Sequence, residues 1–223
     1  PRRGGGEPVC VFVEVDPASG SYDTAFEPAS VEVENVRVLT APGNAGNATR
    51  RSIETANDTI DVISPRLDPS GPYFEALVAA AERGVDVRIL LSNAWYDEES
   101  NRELVDHVDR LRDRGLPIEA RIARPADRFE KIHAKGALID GRTVLLGSLN
   151  WNRHAARENR EVVVALRGEE PASYYGRTFE ADWAAAAGGA GPGVDEWRLH
   201  ATLAAGALAA GVLGGVLGLG AGG

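Results

Sequence analysis

Residues 131–150 of this 223-residue chain have the pattern of a β-hairpin. Apolar residues dominate both halves of the segment, and the Asp140-Gly141 pair between them is the strongest short signal for a two-residue hairpin turn. Such a turn pairs Ile139 with Arg142 and thereby sets the register of every pair further along the two strands. The segment therefore predicts two adjacent antiparallel strands whose facing residues can be named.

Four polar side chains are expected to converge at the open end of this hairpin. Counting back from the turn puts His133 opposite Ser148, and directly paired side chains lie roughly 5 Å apart. Because side chains alternate along a strand, His133 and Lys135 share a face, while Asn150 lies just beyond the second strand. An imidazole, an ammonium, a hydroxyl and a carboxamide would then form a phosphate site that carries a nucleophile.

The residue types suit the cleavage of a phosphodiester. Its negative charge repels anionic nucleophiles, whereas the neutral imidazole of His133 can attack phosphorus and leave a covalent phosphohistidine. Lys135 and Asn150 would hold the non-bridging oxygens and stabilise the charge that builds on them, and Ser148 would hydrogen-bond the phosphate. Glu161, in the downstream stretch ENREV, is the candidate acceptor that orients the second imidazole nitrogen. This chemistry requires no cofactor and no metal.

The pattern HxKxxxxD followed by GSxN resembles the active-site signature of the phospholipase D superfamily of phosphodiesterases. His133, Lys135, Asp140, Ser148 and Asn150 carry the resemblance, which extends over about residues 36–183. It implies an α/β fold, a phospholipase D-like αβα sandwich with a mixed central sheet, and an acidic residue in the ENREV stretch that orients the histidine. An Asp before Gly is explained by turn geometry alone, so a structural role is expected first for Asp140.

Members of the superfamily work with two copies of the motif, one histidine attacking and the other protonating the leaving oxygen. This chain contains one copy. Either a homodimer partner supplies the second copy, or it lies in an upstream half of a longer protein. The chain begins with Pro1 and contains no methionine, which favours the missing upstream half as our expectation.

The chain is expected to divide into four parts. Residues 1–35 are an N-terminal arm or the end of a preceding domain, and residues 36–187 form the phospholipase D-like domain. Within that domain, alternating strands and helices predict a sheet covered on both faces. The expected strands are residues 31–39, 59–64, 85–91, 117–123, the two hairpin strands and a strand from Glu161. One helix is expected to begin among residues 44–49, two more to cover residues 73–83 and 97–114, and a last one to end near residue 187. Residues 151–157 are expected to form a loop.

The last two parts are a flexible linker, residues 188–198, and an uncharged Ala- and Gly-rich run, residues 199–223, long enough to span a bilayer. Gly211 with Gly215 and Gly214 with Gly218 give small-xxx-small pairs suited to helix packing in lipid. We therefore expect an apolar C-terminal helix that serves as a single-pass membrane anchor, with a disordered tail as the alternative. The sequence leaves the side of the membrane open.

Charge and cysteine content exclude some classes of protein. A formal net charge of -9 disfavours a broad, nonspecific grip on DNA. The single cysteine, Cys10, excludes an internal disulfide and leaves no cluster for structural zinc.

Residues 110–131 are locally basic, and their arginines either steer a polyanion towards His133 or, as we favour, pair with nearby acids on a solvated face. Trp151 would stack on a nucleobase, sit at a lipid interface or pack in the core. Three other histidines, His107, His154 and His200, are interpreted as exposed or without function.

Three functions remain open at this stage. The first is a membrane-anchored phosphodiesterase that acts on phospholipids by hydrolysis or head-group transfer. The second is a metal-independent nuclease with the same mechanism. The third is an inactive membrane-anchored or nucleic-acid-binding module. We expect phosphodiester hydrolysis through a phosphohistidine on His133, with phospholipid ahead of nucleic acid as the substrate.

Overall fold

The computed structural model describes residues 22, 25–125 and 128–187. Its strands are Asn35–Ala41 (β1), Thr59–Ser64 (β2), Asp86–Leu91 (β3), Ile118–Ile122 (β4), Lys135–Ile139 (β5), Thr143–Gly147 (β6) and Glu161–Arg167 (β7). Its helices are Ala45–Glu54 (α1), Pro72–Glu82 (α2), Glu98–Arg112 (α3), Arg153–Arg157 (α4) and Glu169–Ala186 (α5).

The seven strands form one mixed sheet in the order β1-β7-β6-β5-β2-β3-β4. Strands β2, β3 and β4 are parallel neighbours, joined by crossovers that contain α2 and α3. The pairs β2–β5, β5–β6, β6–β7 and β7–β1 are antiparallel. The expected α/β fold with a mixed central sheet is therefore confirmed.

Helices cover both faces of the sheet, but unequally. On one face, Val62 of β2 belongs to a large core with Ile53 of α1 and Leu77 of α2, to which α3 and α4 also contribute. On the other face, Ile63 packs in a smaller cluster with Phe179 of α5. Because Val62 and Ile63 are adjacent, β2 is buried on both faces, as expected for an interior strand of a sheet that helices cover on both sides. Each such buried side chain stabilises the fold by roughly 1.5–3 kcal/mol.

Most element boundaries lie within two residues of those expected from the sequence. The strand at 59–64 agrees, and α2 and α3 end shortly before Gly84 and Gly115, whose φ angles of 93° and 92° suit a helix C-terminus. The first strand lies further along than expected, at Asn35–Ala41, because it pairs with β7 over that strand's whole length.

The expectation of a loop at residues 151–157 was wrong. The short helix α4 forms there because the Asn152 side chain accepts a hydrogen bond from the backbone N–H of Ala155 at 2.8 Å and so caps the first turn.

The predicted hairpin is present, but its register is displaced by one residue. Ile139 pairs with Thr143 instead of Arg142, so the loop has three residues and Lys135 faces Gly147. The Asp140 N–H donates to the carbonyl of Thr59 at 2.8 Å, and the Asp140 carboxylate accepts from backbone N–H groups at the start of β2. These bonds tie Asp140 to β2, and the turn closes one residue later.

Three parts of the expected organisation fall on residues that the structure does not describe. They are the linker at 188–198, the apolar helix or anchor at 199–223, and the arm up to residue 21 together with residues 23 and 24. Among the helices that are described, none is long and apolar enough to cross a membrane.

Candidate active site

His133 and Lys135 lie at the edge of the sheet where the parallel strands end. Lys135 is the first residue of β5, and His133 precedes it in the connecting loop. Because β5 runs antiparallel to β2, with Gly136 opposite Ile63, this end of β5 is beside the carboxyl end of β2. Ligand sites in open α/β sheets lie outside the carboxyl ends of the strands, so the position suits a substrate.

The side chains of His133 and Lys135 are in contact. The Lys135 ammonium nitrogen lies 3.1 Å from Nδ1 and 3.3 Å from Nε2 of His133, and it donates to the His133 carbonyl oxygen at 2.7 Å. His133 is exposed, whereas Lys135 is only 8% exposed. The site thus presents an accessible imidazole beside a buried cation, whose position is fixed by its hydrogen bond to the His133 carbonyl oxygen.

Burial lowers the pKa of Lys135 from its ordinary value of 10.5, and the nearby carboxylate of Glu161 acts in the opposite direction. An ammonium shielded from water interacts more strongly with an approaching phosphate than a solvated one does.

Ser148 and Glu161 form a second polar group next to this pair. The Ser148 hydroxyl donates to one oxygen of Glu161, and the Asn159 side chain donates to the other at 3.0 Å. The Val162 N–H donates to the Ser148 oxygen at 3.2 Å. Both carboxylate oxygens of Glu161 are therefore engaged. The structure gives no hydrogen bond between Glu161 and His133, so the orienting contact expected from the sequence is not among those formed by these two described residues.

Asn150 follows β6 and is half-buried. It lines a cleft of about 910 Å³ whose other lining residues follow β2 or lie in and around α4. The Asn152 N–H donates to the Asn150 carbonyl at 2.8 Å, which holds the loop in a tight turn. Asn150 is thus placed to contact a ligand in the cleft.

Asp140 lies at the other end of β5 from His133. Its φ angle is 51°, a conformation that Asp tolerates better than most residues. Its carboxylate accepts from the backbone N–H groups of Asn57, Asp58 and Thr59 at 3.1, 2.9 and 3.2 Å. These contacts give Asp140 a structural role in the turn, at a distance from the polar side chains around His133.

Gly147, the first residue of the GSxN motif, has a packing requirement that the sequence did not reveal. A Cβ atom added there would lie 2.1 Å from the Val162 carbonyl oxygen, much closer than such atoms approach. Strands β6 and β7 therefore meet at Gly147 with no room for a side chain. This close approach brings Ser148 within reach of Glu161 and of the Val162 backbone.

Trp151 does not have the stacking or lipid-contacting role that was considered for it. It is only 3% exposed and packs in the core against Tyr73, with the ring centroids 5.6 Å apart. The packing alternative is the one that the structure supports. Of the other histidines, His107 is half-buried against Phe74 instead of exposed, His154 is exposed, and His200 is outside the described residues.

Three of the six arginines between residues 110 and 131 are engaged by acids, so the pairing favoured in the sequence analysis is found for half of them. Arg112 contacts Asp109 at 3.0 Å, Arg121 contacts Glu119 at 2.8 Å, and Arg128 contacts Asp182 at 3.0 Å. Arg110, Arg114 and Arg124 have no ion pair with the described residues, so positive charge is neutralised only in part of this region.

An exposed aromatic pair beside the site was missed in the sequence. Trp95 and Tyr96 are 85% and 51% exposed and follow β3 at the same edge of the sheet as His133. The ammonium of Lys131 lies 5.3 Å from the centre of the Tyr96 ring. The signal available was a Trp-Tyr pair in the short connection between an apolar strand and a charged helix.

No group of three or more His, Cys, Asp or Glu side chains comes together as a metal site within the described residues.

Comparisons with known proteins agree with this geometry. The family model described as the cardiolipin synthase, PLD-like domain matches residues 49–183, more than half of the chain. A mitochondrial cardiolipin hydrolase from Chlamydomonas reinhardtii is 31% identical over 101 residues, which are 45% of this chain and 41% of that protein. A cardiolipin synthase from Listeria welshimeri is 31% identical over 116 residues, 52% of this chain and 23% of that protein. The chain thus spans less than half the length of these curated relatives.

The fold is also similar to that of solved structures. The crystal structure of a phospholipase D family member, Nuc from Salmonella typhimurium, superposes with a TM-score of 0.57 at 24% identity. The similarity covers 67% of this chain and 93% of that one. At this identity the likeness shows a shared fold.

Proposed function

This chain belongs to the phospholipase D superfamily, and from that premise we propose that it hydrolyses a phospholipid phosphodiester through a phosphohistidine on His133. The observation that carries the proposal is the contact between the exposed imidazole of His133 and the buried ammonium of Lys135, 3.1 Å apart, at the carboxyl edge of the sheet. Phosphodiesterase chemistry as a class is what the family supports. The nucleophile and the substrate are our proposals.

In the first step, a ring nitrogen of His133 bonds to phosphorus and the bond from phosphorus to the leaving alcohol breaks. Lys135 and Asn150 hold the non-bridging oxygens as their charge increases. The Ser148 hydroxyl donates to Glu161, so its hydrogen is directed at that carboxylate, and Ser148 would bond a phosphate oxygen only by exchanging this hydrogen bond for one to the substrate. A second histidine protonates the leaving oxygen, and water then breaks the bond between nitrogen and phosphorus.

The second histidine is proposed to come from another copy of the motif. Within the described residues the motif occurs once, and both sources considered above, an upstream half and a homodimer partner, remain proposals. Such a partner would also bring an acceptor for the free ring nitrogen of His133, because Glu161 of the same chain is already engaged by Ser148 and Asn159.

Phospholipid is favoured as the substrate because the matching family model and two curated relatives carry cardiolipin in their descriptions. A membrane anchor at 199–223 would hold the site near lipid, and we retain it as a proposal. The alternative is a metal-independent nuclease, favoured by the arginines that line the cleft beside Asn150. An inactive binding module is the third possibility.

The test is hydrolysis by the full chain in EDTA, with phosphatidylglycerol in neutral detergent micelles, a single-stranded oligonucleotide and bis(p-nitrophenyl) phosphate as substrates. His133→Asn should abolish turnover of whichever substrate is cleaved, whereas His107→Asn, on α3 and away from the site, should retain it. Cleavage of lipid alone supports the favoured proposal, and cleavage of the oligonucleotide alone supports the nuclease. Turnover by His133→Asn at the parental rate would rule out the proposed nucleophile.

A further inference from the structure

A cleft adjoins the candidate active site at Asn150. Its volume is about 910 Å³, and its polar lining includes Arg66, Arg153 and Arg157 together with Asn150, Asn152 and Asn159. Arg66 follows β2, and the other two arginines lie on α4. We call this surface the arginine cleft.

The three guanidinium groups of the arginine cleft are exposed and lack ion pairs within the described residues. Two carboxylates line the same cleft, those of Asp68 and Glu158. Asp68 is engaged, because one of its oxygens accepts from the N–H and the hydroxyl of Ser70 at 3.0 and 2.9 Å. Three arginines and two carboxylates thus line the cleft without forming an ion pair with one another, so its lining has more positive than negative side chains.

The local backbone directs two of these arginines into the cleft. Asn152 caps α4, and Arg153 and Arg157 are four residues apart, so they lie on the same side of the helix. The same two side chains border a second cavity of about 530 Å³, which Arg50 also lines. Arg153 and Arg157 are thus accessible from two directions.

The distance from the catalytic patch is short. Asn150 and Arg153 are three residues apart, which limits the separation of their Cα atoms to roughly 10 Å. The hydrogen bond from Asn152 to the Asn150 carbonyl shortens the path further. A ligand whose phosphodiester is held by Asn150 would place a phosphate a few bonds away inside the arginine cleft.

We propose that the arginine cleft binds a second phosphate of the same substrate molecule, which makes the preferred substrate a compound with two phosphates a few bonds apart. Guanidinium groups bind phosphate through paired, charge-assisted hydrogen bonds, which an exposed lysine would not match in geometry. A diphosphatidylglycerol lipid and an oligonucleotide both have this chemistry. The inference rests on the proposed function for its orientation, since it assumes that the first phosphate lies at His133.

The test compares substrates that differ by one phosphate. The pairs are thymidylyl thymidine with and without a 5′-phosphate, and diphosphatidylglycerol against phosphatidylglycerol in neutral detergent micelles. Dissociation constants are measured on the full chain with His133→Asn, so that no probe is consumed. The variant Arg153→Gln/Arg157→Gln is compared with Arg110→Gln/Arg114→Gln, which removes the same charge at the same spacing from α3 and the residues just after it.

Arg153→Gln/Arg157→Gln should weaken binding of the two-phosphate member of one pair by about tenfold and leave its one-phosphate partner within about twofold. The control variant should change neither. The pair that responds identifies lipid or nucleotide as the source of the second phosphate. Equal affinities for the one- and two-phosphate members of both pairs before mutation, or equal losses for both members after it, would overturn the inference. If binding favours the two-phosphate member but the parent chain hydrolyses none of the probes, the proposed function alone is overturned.

Discussion

At the scale of single residues, the candidate site consists of an exposed imidazole beside buried charged groups. His133 is open to solvent, while Lys135 and Glu161 beneath it are 8% and 9% exposed. Desolvation of Lys135 is unfavourable for folding, and the interaction with a phosphate would offset it when substrate binds. In the proposed mechanism, the charge of Lys135 would act on the phosphate oxygens as their negative charge increases in the transition state.

The lowered pKa of Lys135 predicts the alkaline side of the pH profile. Burial lowers this pKa from its ordinary value of 10.5, and Glu161 opposes the shift, so a rate that needs the ammonium falls as pH rises through the lowered value. Glu161→Gln removes the opposing charge and should move this limb to lower pH, whereas Glu169→Gln should not. Rates measured between neutral and alkaline pH test this, and a limb that moves to higher pH in Glu161→Gln would contradict it.

The contribution of Lys135 to stability should increase over the same pH range in which the rate falls. Because the pKa of Lys135 is lower in the folded chain than in the unfolded one, the unfolded state binds more protons between the two values. The contribution of Lys135 to the free energy of unfolding therefore rises as pH increases through that window. Loss of activity at alkaline pH should precede loss of structure, and circular dichroism at each pH distinguishes the two.

Asp140 is predicted to be required for stability and not for catalysis. Asp140→Ala removes the acceptor of the backbone N–H groups of Asn57, Asp58 and Thr59 and should lower the free energy of unfolding by about 2 kcal/mol. Asp140→Asn, which keeps one acceptor oxygen, should lose less. Denaturant unfolding measures both, and the rate per folded molecule should stay at the parental value. A loss of rate as large as that of His133→Asn, with stability intact, would assign Asp140 to catalysis instead.

At the scale of elements, strands β5, β6 and β7 bring the polar side chains together. Gly147 lets β6 and β7 approach closely, which places Ser148 against Glu161. Gly147→Ala would put a Cβ atom 2.1 Å from the Val162 carbonyl oxygen and should cost at least about 3 kcal/mol of stability. Gly176→Ala, in the middle of α5, would meet only the flexible end of the Leu138 side chain at 3.3 Å, which opposes the helix preference of alanine, so stability should change by no more than about 1 kcal/mol. Thermal unfolding of the two variants tests this contrast, and equal effects would contradict it.

The elements also show what the sequence could predict. Periodicity and glycines located α2, α3 and the parallel strands, because local patterns set those boundaries. The hairpin register was displaced because it depends on Asp140 bonding to the start of β2, a contact between residues about 80 positions apart. Helix α4 was missed because its stability depends on a cap at Asn152 within a short polar stretch. The burial of Trp151 against Tyr73 is likewise a long-range contact.

At the scale of the whole molecule, the described residues form one phospholipase D-like domain with a single copy of the motif. If two chains build one site, the rate should increase with the square of enzyme concentration at high dilution and become linear once dimers are complete. Bis(p-nitrophenyl) phosphate turnover over a wide dilution range, with sedimentation at the same concentrations, measures this. A linear rate from a monomeric chain would exclude a shared site.

The proposed mechanism requires His133 to become covalently bonded to phosphorus during turnover. The most direct measurement is mass spectrometry of peptides from the full chain, quenched with alkali during turnover of bis(p-nitrophenyl) phosphate, because phosphohistidine survives alkali better than acid. We predict a p-nitrophenyl phosphoryl group on the peptide that contains His133, absent when His133→Asn is treated in the same way. Steady turnover with the group on another residue, or an unchanged rate in His133→Asn, would contradict the account.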